Sequence, residues 1–179
     1  MWAHSGSRRS RREAQAVLDR ELDLAYVLRW HLPAETKFEV LHEVRLVFLA
    51  ARGHPLAGGE VVSADEVGRA GLITTPLTGI ESVFYREVLR DFGLAEDYSV
   101  LEMIEGLQSR LLAAAAGCGV IATFVPAHHS ITVSDALVPL RIEPVPASAT
   151  VDAGLVRRSD DPNAATSELA AWLRGHASA

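Results

Sequence analysis

Apolar runs of strand length alternate with stretches of helical periodicity along this chain, and no other feature constrains its fold as tightly. Residues 44–51 (VRLVFLAA) are almost continuously apolar, the pattern of a strand covered on both faces. Residues 22–28, 71–75, 98–103, 119–125, 137–142 and 150–156 are further strand-length runs. Helical signals fall between them. Residues 63–69 begin with Ser63 and Glu66 at capping-box spacing. Over 79–92, Ile80, Phe84, Val88 and Phe92 recur every four residues; Thr78 and Glu81 repeat the capping-box spacing, and Gly93 closes the pattern. Leu107, Leu111, Leu112 and Ala115 make another stripe that ends at Gly117. Near the start, Ala14, Val17 and Leu18 share a helical face, and residues 29–37, with Pro33, read as a loop. At the end, Asp161-Pro162 opens a helix with proline at its first position and with Ala165, Leu169, Trp172 and Leu173 facing inward. Strands alternating with helices specify α/β architecture with largely parallel sheets.

The 179 residues suit one or two small lobes. Half of them are hydrophobic (49%) and 22% are charged, enough for a packed core. The net charge of −6 is the opposite sign to that of a typical nucleic-acid binder. Arg8, Arg9, Arg11 and Arg12 form a lone basic cluster, read here as part of a solvated polar tail over 1–12. Nothing resembles a membrane span of about eighteen apolar residues, and no apolar segment follows the basic run as in a secretory signal. A cytoplasmic protein without membrane contact is the expectation.

Catalytic motifs are missing: there is no G-x-S-x-G, no phosphate-binding Walker loop and no H-E-x-x-H. The seven histidines are scattered, and the adjacent His128 and His129 cannot present two ligands from one helical face, so no metal site is expected. Cys118 lies between two glycines and is expected to be a small buried hydrophobe, although a reactive thiol at a helix end is conceivable. The best local candidate for a binding site is the segment 74–79 (TTPLTG), which joins a strand to a helix. Open α/β sheets bind ligands beyond the carboxyl ends of their strands, and a helix start offers N–H groups to an anion. An ordinary capped turn with no ligand is the favoured local explanation of the same residues, and Glu81 competes with an anion for the helix start.

Three segments, in order, carry a resemblance. LDRELDLAY resembles the Leu-x-x-Gly-x-Leu-Asp-Leu-Ala approach to a strand in LysR-type effector-binding domains, with Arg20 where glycine is common. VRLVFLAARGHPLA resembles that family's strand followed by His-Pro-Leu-Ala, here His54, Pro55, Leu56 and Ala57. LLAAAAGCGVIATFVP resembles its Val-x-Ala-Gly-x-Gly-Ile-x-x-Leu-Pro segment through Ala115 or Ala116, Gly117, Gly119, Ile121 and Pro126. The resemblance implies a type 2 periplasmic-binding-protein-like fold with two lobes around a cleft. The first lobe would comprise 13–57 and 144–179, and the second 58–143. A small metabolite would occupy the cleft, and no other cofactor is implied. Its contacts would be Thr75, Thr78, Gly79, Thr123 and Phe124, with Tyr26 and Arg29 facing them. Hydroxyls, a backbone N–H and a guanidinium favour a small organic acid.

The same resemblance marks departures. The family begins with a winged helix-turn-helix and a linker helix that this sequence lacks, and the first strand and most of the first helix of the effector lobe are also lacking, so the first lobe is expected to be incomplete at its N-terminus. Sequence-specific DNA binding by this chain alone is not expected. A homo-oligomer, or association with intact regulators, is an open expectation. Three functions remain in view: a metabolite sensor, an inactive truncated regulator that acts only by pairing with intact homologues, and a small enzyme using Cys118 or a histidine.

Overall fold

The computed structural model describes residues 7–73, 80–94, 100–101, 106–127 and 135–176. In chain order the elements are α1 (Ser7–Leu18), β1 (Ala25–Leu28), β2 (Thr36–Ala51), β3 (Val61–Val62), α2 (Ala64–Ala70), β4 (Leu72–Ile73) and α3 (Ile80–Asp91). They continue with β5 (Val100–Leu101), α4 (Leu107–Ala115), β6 (Val120–Pro126), β7 (Leu137–Ile142), β8 (Thr150–Arg158) and α5 (Ala164–His176). The chain divides into two compact units. One is built from both ends, Ser5–Val44 and Thr150–Ala179, and the other contains Arg45–Ala149. The division therefore falls at 44/45 and 149/150, where the sequence placed it at 57/58 and 143/144. The sequence reading kept 44–51 whole as a strand of the first lobe, whereas β2 is a single 16-residue strand that contributes to both units.

In the unit built from the chain ends, the strand order is β1-β8-β2. β1 runs antiparallel to β8, with Ala25 opposite Val156 and Leu28 opposite Ala153. Ala14 and Val17 of α1 pack on Ala25, Val27 and Val156, which buries the helical face legible in the sequence. Helix α1 begins at Ser7, so the basic residues expected in a solvated tail lie within it. A periodic apolar face extends a helix backwards through polar residues of adequate propensity, and Arg is among the better helix formers. β2 begins at Thr36, inside the stretch read as a loop. Arg158 is buried and ties the unit together. Its guanidinium donates to the Val17 and Leu22 carbonyls (2.9 and 3.2 Å) and pairs with Asp161 at 3.4 Å. The N–H of Asn163, donated to Asp161, is the main cause holding that carboxyl below the usual range.

Helix α5 corrects the sequence twice. Asp161 and Asn163 each accept a backbone N–H two residues on, which holds the chain in turns until Ala164 and leaves Pro162 outside the helix. Its buried residues are Thr166 and Ala170, while Leu169 and Trp172 are 48% and 58% exposed and Ala165 is also exposed. Apolar spacing alone could not distinguish the stripe of larger side chains from the face of small ones that is buried.

In the middle unit the order is β2-β6-β4-β5, with β7 antiparallel to β2 and β3 parallel to β7. β4 is parallel to both β5 and β6. Helices α3 and α4 make the two crossovers β4-α3-β5-α4-β6, as parallel pairing requires. The expected parallel pairing is thus concentrated in this unit. Leu49, Ile73, Ala114, Ile121 and Leu137 form a fully or nearly buried core, flanked by Leu107 and Leu111 of α4. Phe48 and Phe92 meet edge to face with centroids 5.1 Å apart. In the His-Pro-Leu-Ala segment, the His54 imidazole accepts the Leu56 N–H at 3.2 Å and caps a short 3-10 turn at Pro55–Ala57.

Candidate functional site

β4 and β6 run side by side in the same direction, with Leu72 opposite Val120 and Ile73 opposite Ile121. Their carboxyl ends, where an open parallel sheet presents its loops, therefore lie together. Val120, Ile121 and Ala122 are buried, and from Thr123 onward β6 is only half-buried. The burial profile opens the strand at the two residues singled out in the sequence, Thr123 and Phe124. Successive strand residues point to opposite faces, so their side chains leave the sheet on different sides. Thr75, Thr78 and Gly79 lie outside the described residues, as does the expected Thr78–Glu81 cap. Helix α3 begins at Ile80, directly after that segment, and is anchored at its far end. There Gly93, at φ 87°, donates to the Arg90 carbonyl, and the Leu94 N–H reaches Leu89 at 3.0 Å, the paired bonds of a Schellman turn.

Tyr26 and Arg29 belong to the other unit. The Tyr26 hydroxyl bonds His42 Nε2 at 3.0 Å, and partial burial raises its pKa. Arg29 is ion-paired with Asp152 at 3.1 Å, and its guanidinium lies over the Phe38 ring at 5.7 Å. No local pattern signals these partners. His42 is 16 positions from Tyr26 and Asp152 is 123 from Arg29, and the assembly of β1, β8 and β2 into one sheet brings them together.

The other sequence candidates carry no assembled chemistry among the described residues. Cys118 is exposed and not the buried hydrophobe expected. It is the residue after Gly117 in the turn that ends α4, and its N–H reaches back to the Ala113 carbonyl at 3.0 Å. That turn projects its side chain outward, which a short apolar run around it does not reveal. No group of three or more His, Cys, Asp or Glu side chains that could hold a metal ion occurs among the described residues, and His128 and His129 lie outside them. No described helix is long and apolar enough to cross a membrane.

A family model described as the LysR substrate binding domain matches residues 8–178. The chain belongs to that family. The fold agrees: the solved structures it resembles are LysR regulators and their regulatory domains, which share the type 2 periplasmic-binding-protein-like α/β fold. One is the regulatory domain of CcmR from Synechocystis PCC6803 in complex with 2-PG, 17% identical with a TM-score of 0.73, the match covering 94% of this chain and 79% of that one. Another is the effector-binding domain of QuiR in complex with shikimate, 12% identical with a TM-score of 0.73 and covering 92% of this chain and 76% of that one. A third is HinK, a LysR family transcriptional regulator from Pseudomonas aeruginosa, 16% identical with a TM-score of 0.70. The match there covers 92% of this chain and 55% of HinK, so this LysR domain spans about half of that regulator. No curated protein matches.

Proposed function

We propose that this LysR substrate-binding domain binds a small organic acid as its effector and performs no catalysis. The family match over residues 8–178 carries the reading, and the adjoining carboxyl ends of parallel β4 and β6 support it. Thr75, Thr78 and Gly79, between β4 and α3, supply two hydroxyls and a backbone N–H. Thr123 supplies a third hydroxyl, and Phe124, which leaves β6 on the opposite face, is proposed as an apolar wall only at the carboxyl end of the strand, where the site passes around the sheet. Tyr26 and Arg29 are the proposed contacts of the other unit. Because Arg29 already holds Asp152, an effector carboxylate at that guanidinium has to compete with a protein carboxylate. The effector shifts the domain between states only in so far as it binds one of them more tightly.

The test is calorimetric titration of the purified chain with a panel of small mono- and dicarboxylic acids. Thr75→Val and Thr123→Val, each nearly isosteric, are expected to weaken the best acid by roughly five- to tenfold, the loss of about one hydrogen bond. The unliganded melting temperature should stay unchanged. If Thr78 caps α3 as its spacing to Glu81 implies, Thr78→Val should also cost about 1 kcal/mol of stability. Binding that survives all three substitutions would place the site elsewhere.

A further inference from the structure

Arg29 follows β1 directly, and two bonds tie it to a single residue of β8. Its backbone N–H donates to the Asp152 carbonyl at 2.8 Å, and its Nη1 donates to the Asp152 carboxylate at 3.1 Å. The backbone bond continues the β1–β8 register, in which Leu28 lies opposite Ala153. Asp152 is therefore kept beside Arg29 by the sheet itself, independently of either side chain. The Phe38 ring, 5.7 Å from the guanidinium carbon, favours the same placement of the cation. Among the described residues, Asp152 is the one carboxylate bonded to this guanidinium. The Arg29 side chain is 61% exposed and that of Asp152 30%, so the cation is open to a solute while its partner is the more enclosed of the two.

We propose that Asp152 sets the affinity of this domain for acids: in the free chain its carboxylate holds the place at Arg29 that an effector carboxylate takes on binding. The inference rests on the organic-acid reading above and adds how that site is regulated. A guanidinium carries five N–H donors, and a carboxylate is held best when it takes two of them side by side. Asp152 engages the guanidinium through Nη1. An incoming carboxylate either displaces Asp152 or binds beside it at a cation whose charge is already compensated, and both routes weaken binding. Because the pair is partly solvated, the penalty is small, and the site is throttled without being closed. Asp152 thereby raises the acid concentration needed for half-occupancy. It acts on charged acids, since an uncharged carboxamide gains little from a freed cation and meets little repulsion from Asp152.

Calorimetric titration of the unmodified chain and of Asp152→Asn, with small mono- and dicarboxylic acids and their carboxamide analogues, tests this. The substitution removes the charge while keeping the size of the side chain and the backbone bond. Acids should bind Asp152→Asn about two- to fivefold more tightly than the unmodified chain, the range expected for an exposed ion pair. Carboxamides should change by less than about twofold, and the gain for acids should vanish in an Arg29→Gln background. Asp152→Ser, which also lacks the charge, should behave like Asp152→Asn. Circular dichroism verifies that each variant is folded. Acids that bind the variants no more tightly than the unmodified chain would overturn this proposal and leave the organic-acid reading standing. A gain shared equally by carboxamides, or one that persists in Arg29→Gln, would assign the effect to the fold and overturn it as well. Acids that bind none of these chains would overturn both readings.

Discussion

Arg20 sits in the left-handed region at φ 63°, where an L side chain is costly. It occupies the position at which α1 ends: its N–H reaches the Val17 carbonyl, and the Glu21 N–H reaches Ala16 at 2.8 Å, the bonds that Gly93 and Leu94 make at the end of α3. The departure noticed in the sequence, arginine where this family commonly has glycine, thus has a structural meaning. Arg20→Gly relieves the strain at some cost in backbone entropy, and it is expected to stabilise the chain by about 0.5–1 kcal/mol, read from the urea midpoint. Gly154 makes the opposite case. A Cβ there would stand 2.1 Å from the Glu39 carbonyl oxygen and 2.9 Å from the Phe38 ring, both in the same unit. A backbone oxygen cannot move aside without disturbing the sheet, so Gly154→Ala should lower stability by about 1–3 kcal/mol in the same experiment. An unchanged midpoint would mean that β8 and β2 are not this close.

Among the elements, α2 follows its sequence signal most closely. The Ser63 hydroxyl accepts the Glu66 N–H at 3.3 Å, while the Glu66 carboxylate accepts the Ser63 N–H at 2.9 Å and the Ser63 hydroxyl at 2.7 Å. Those bonds, the backbone N–H foremost, lower the Glu66 pKa, with Arg69 adding to the effect. A depressed carboxyl stabilises the folded state above its unfolded pKa, and the contribution disappears as pH falls through the folded value. Ser63→Ala should therefore cost about 1 kcal/mol at neutral pH. The gap between variant and parent should narrow as the solution is acidified below the ordinary glutamate range. A gap independent of pH would assign the cap no role for the carboxylate. Short-range signals of this kind were legible because the partners are three residues apart. The same holds for Gly93 and Gly117 and for the apolar runs that became β6, β7 and β8. What the sequence hid depends on distant packing. The polar half of α1 became helical because Ala14 and Val17 dock on β1 and β8. α5 buries Thr166 and Ala170 in place of Leu169 and Trp172, a choice of face that apolar spacing within the helix does not encode.

For the whole molecule, the α/β class, the type 2 periplasmic-binding-protein-like fold and the family were legible from three ordered segments whose combined spacing no single one supplied. The candidate site was legible only in outline. Strand-to-helix order pointed to the end of β4, and the family resemblance alone pointed to Thr123 and Phe124 on β6, which are half-buried. The partners of Tyr26 and Arg29 were not legible, because they come from other strands that only the assembled sheet brings alongside β1. The central claim is that the domain binds a small organic acid, and thermal unfolding across a panel of such acids tests it most directly. A ligand at about one hundred times its dissociation constant adds roughly 2.7 kcal/mol to the folded state. For a chain of this size that corresponds to a rise of about 5–10 °C in melting temperature. A saturable rise of that order is expected with at least one acid, reduced at the same ligand concentration in Thr75→Val. A melting temperature that no acid in the panel moves, or one that rises equally in Thr75→Val, would contradict it.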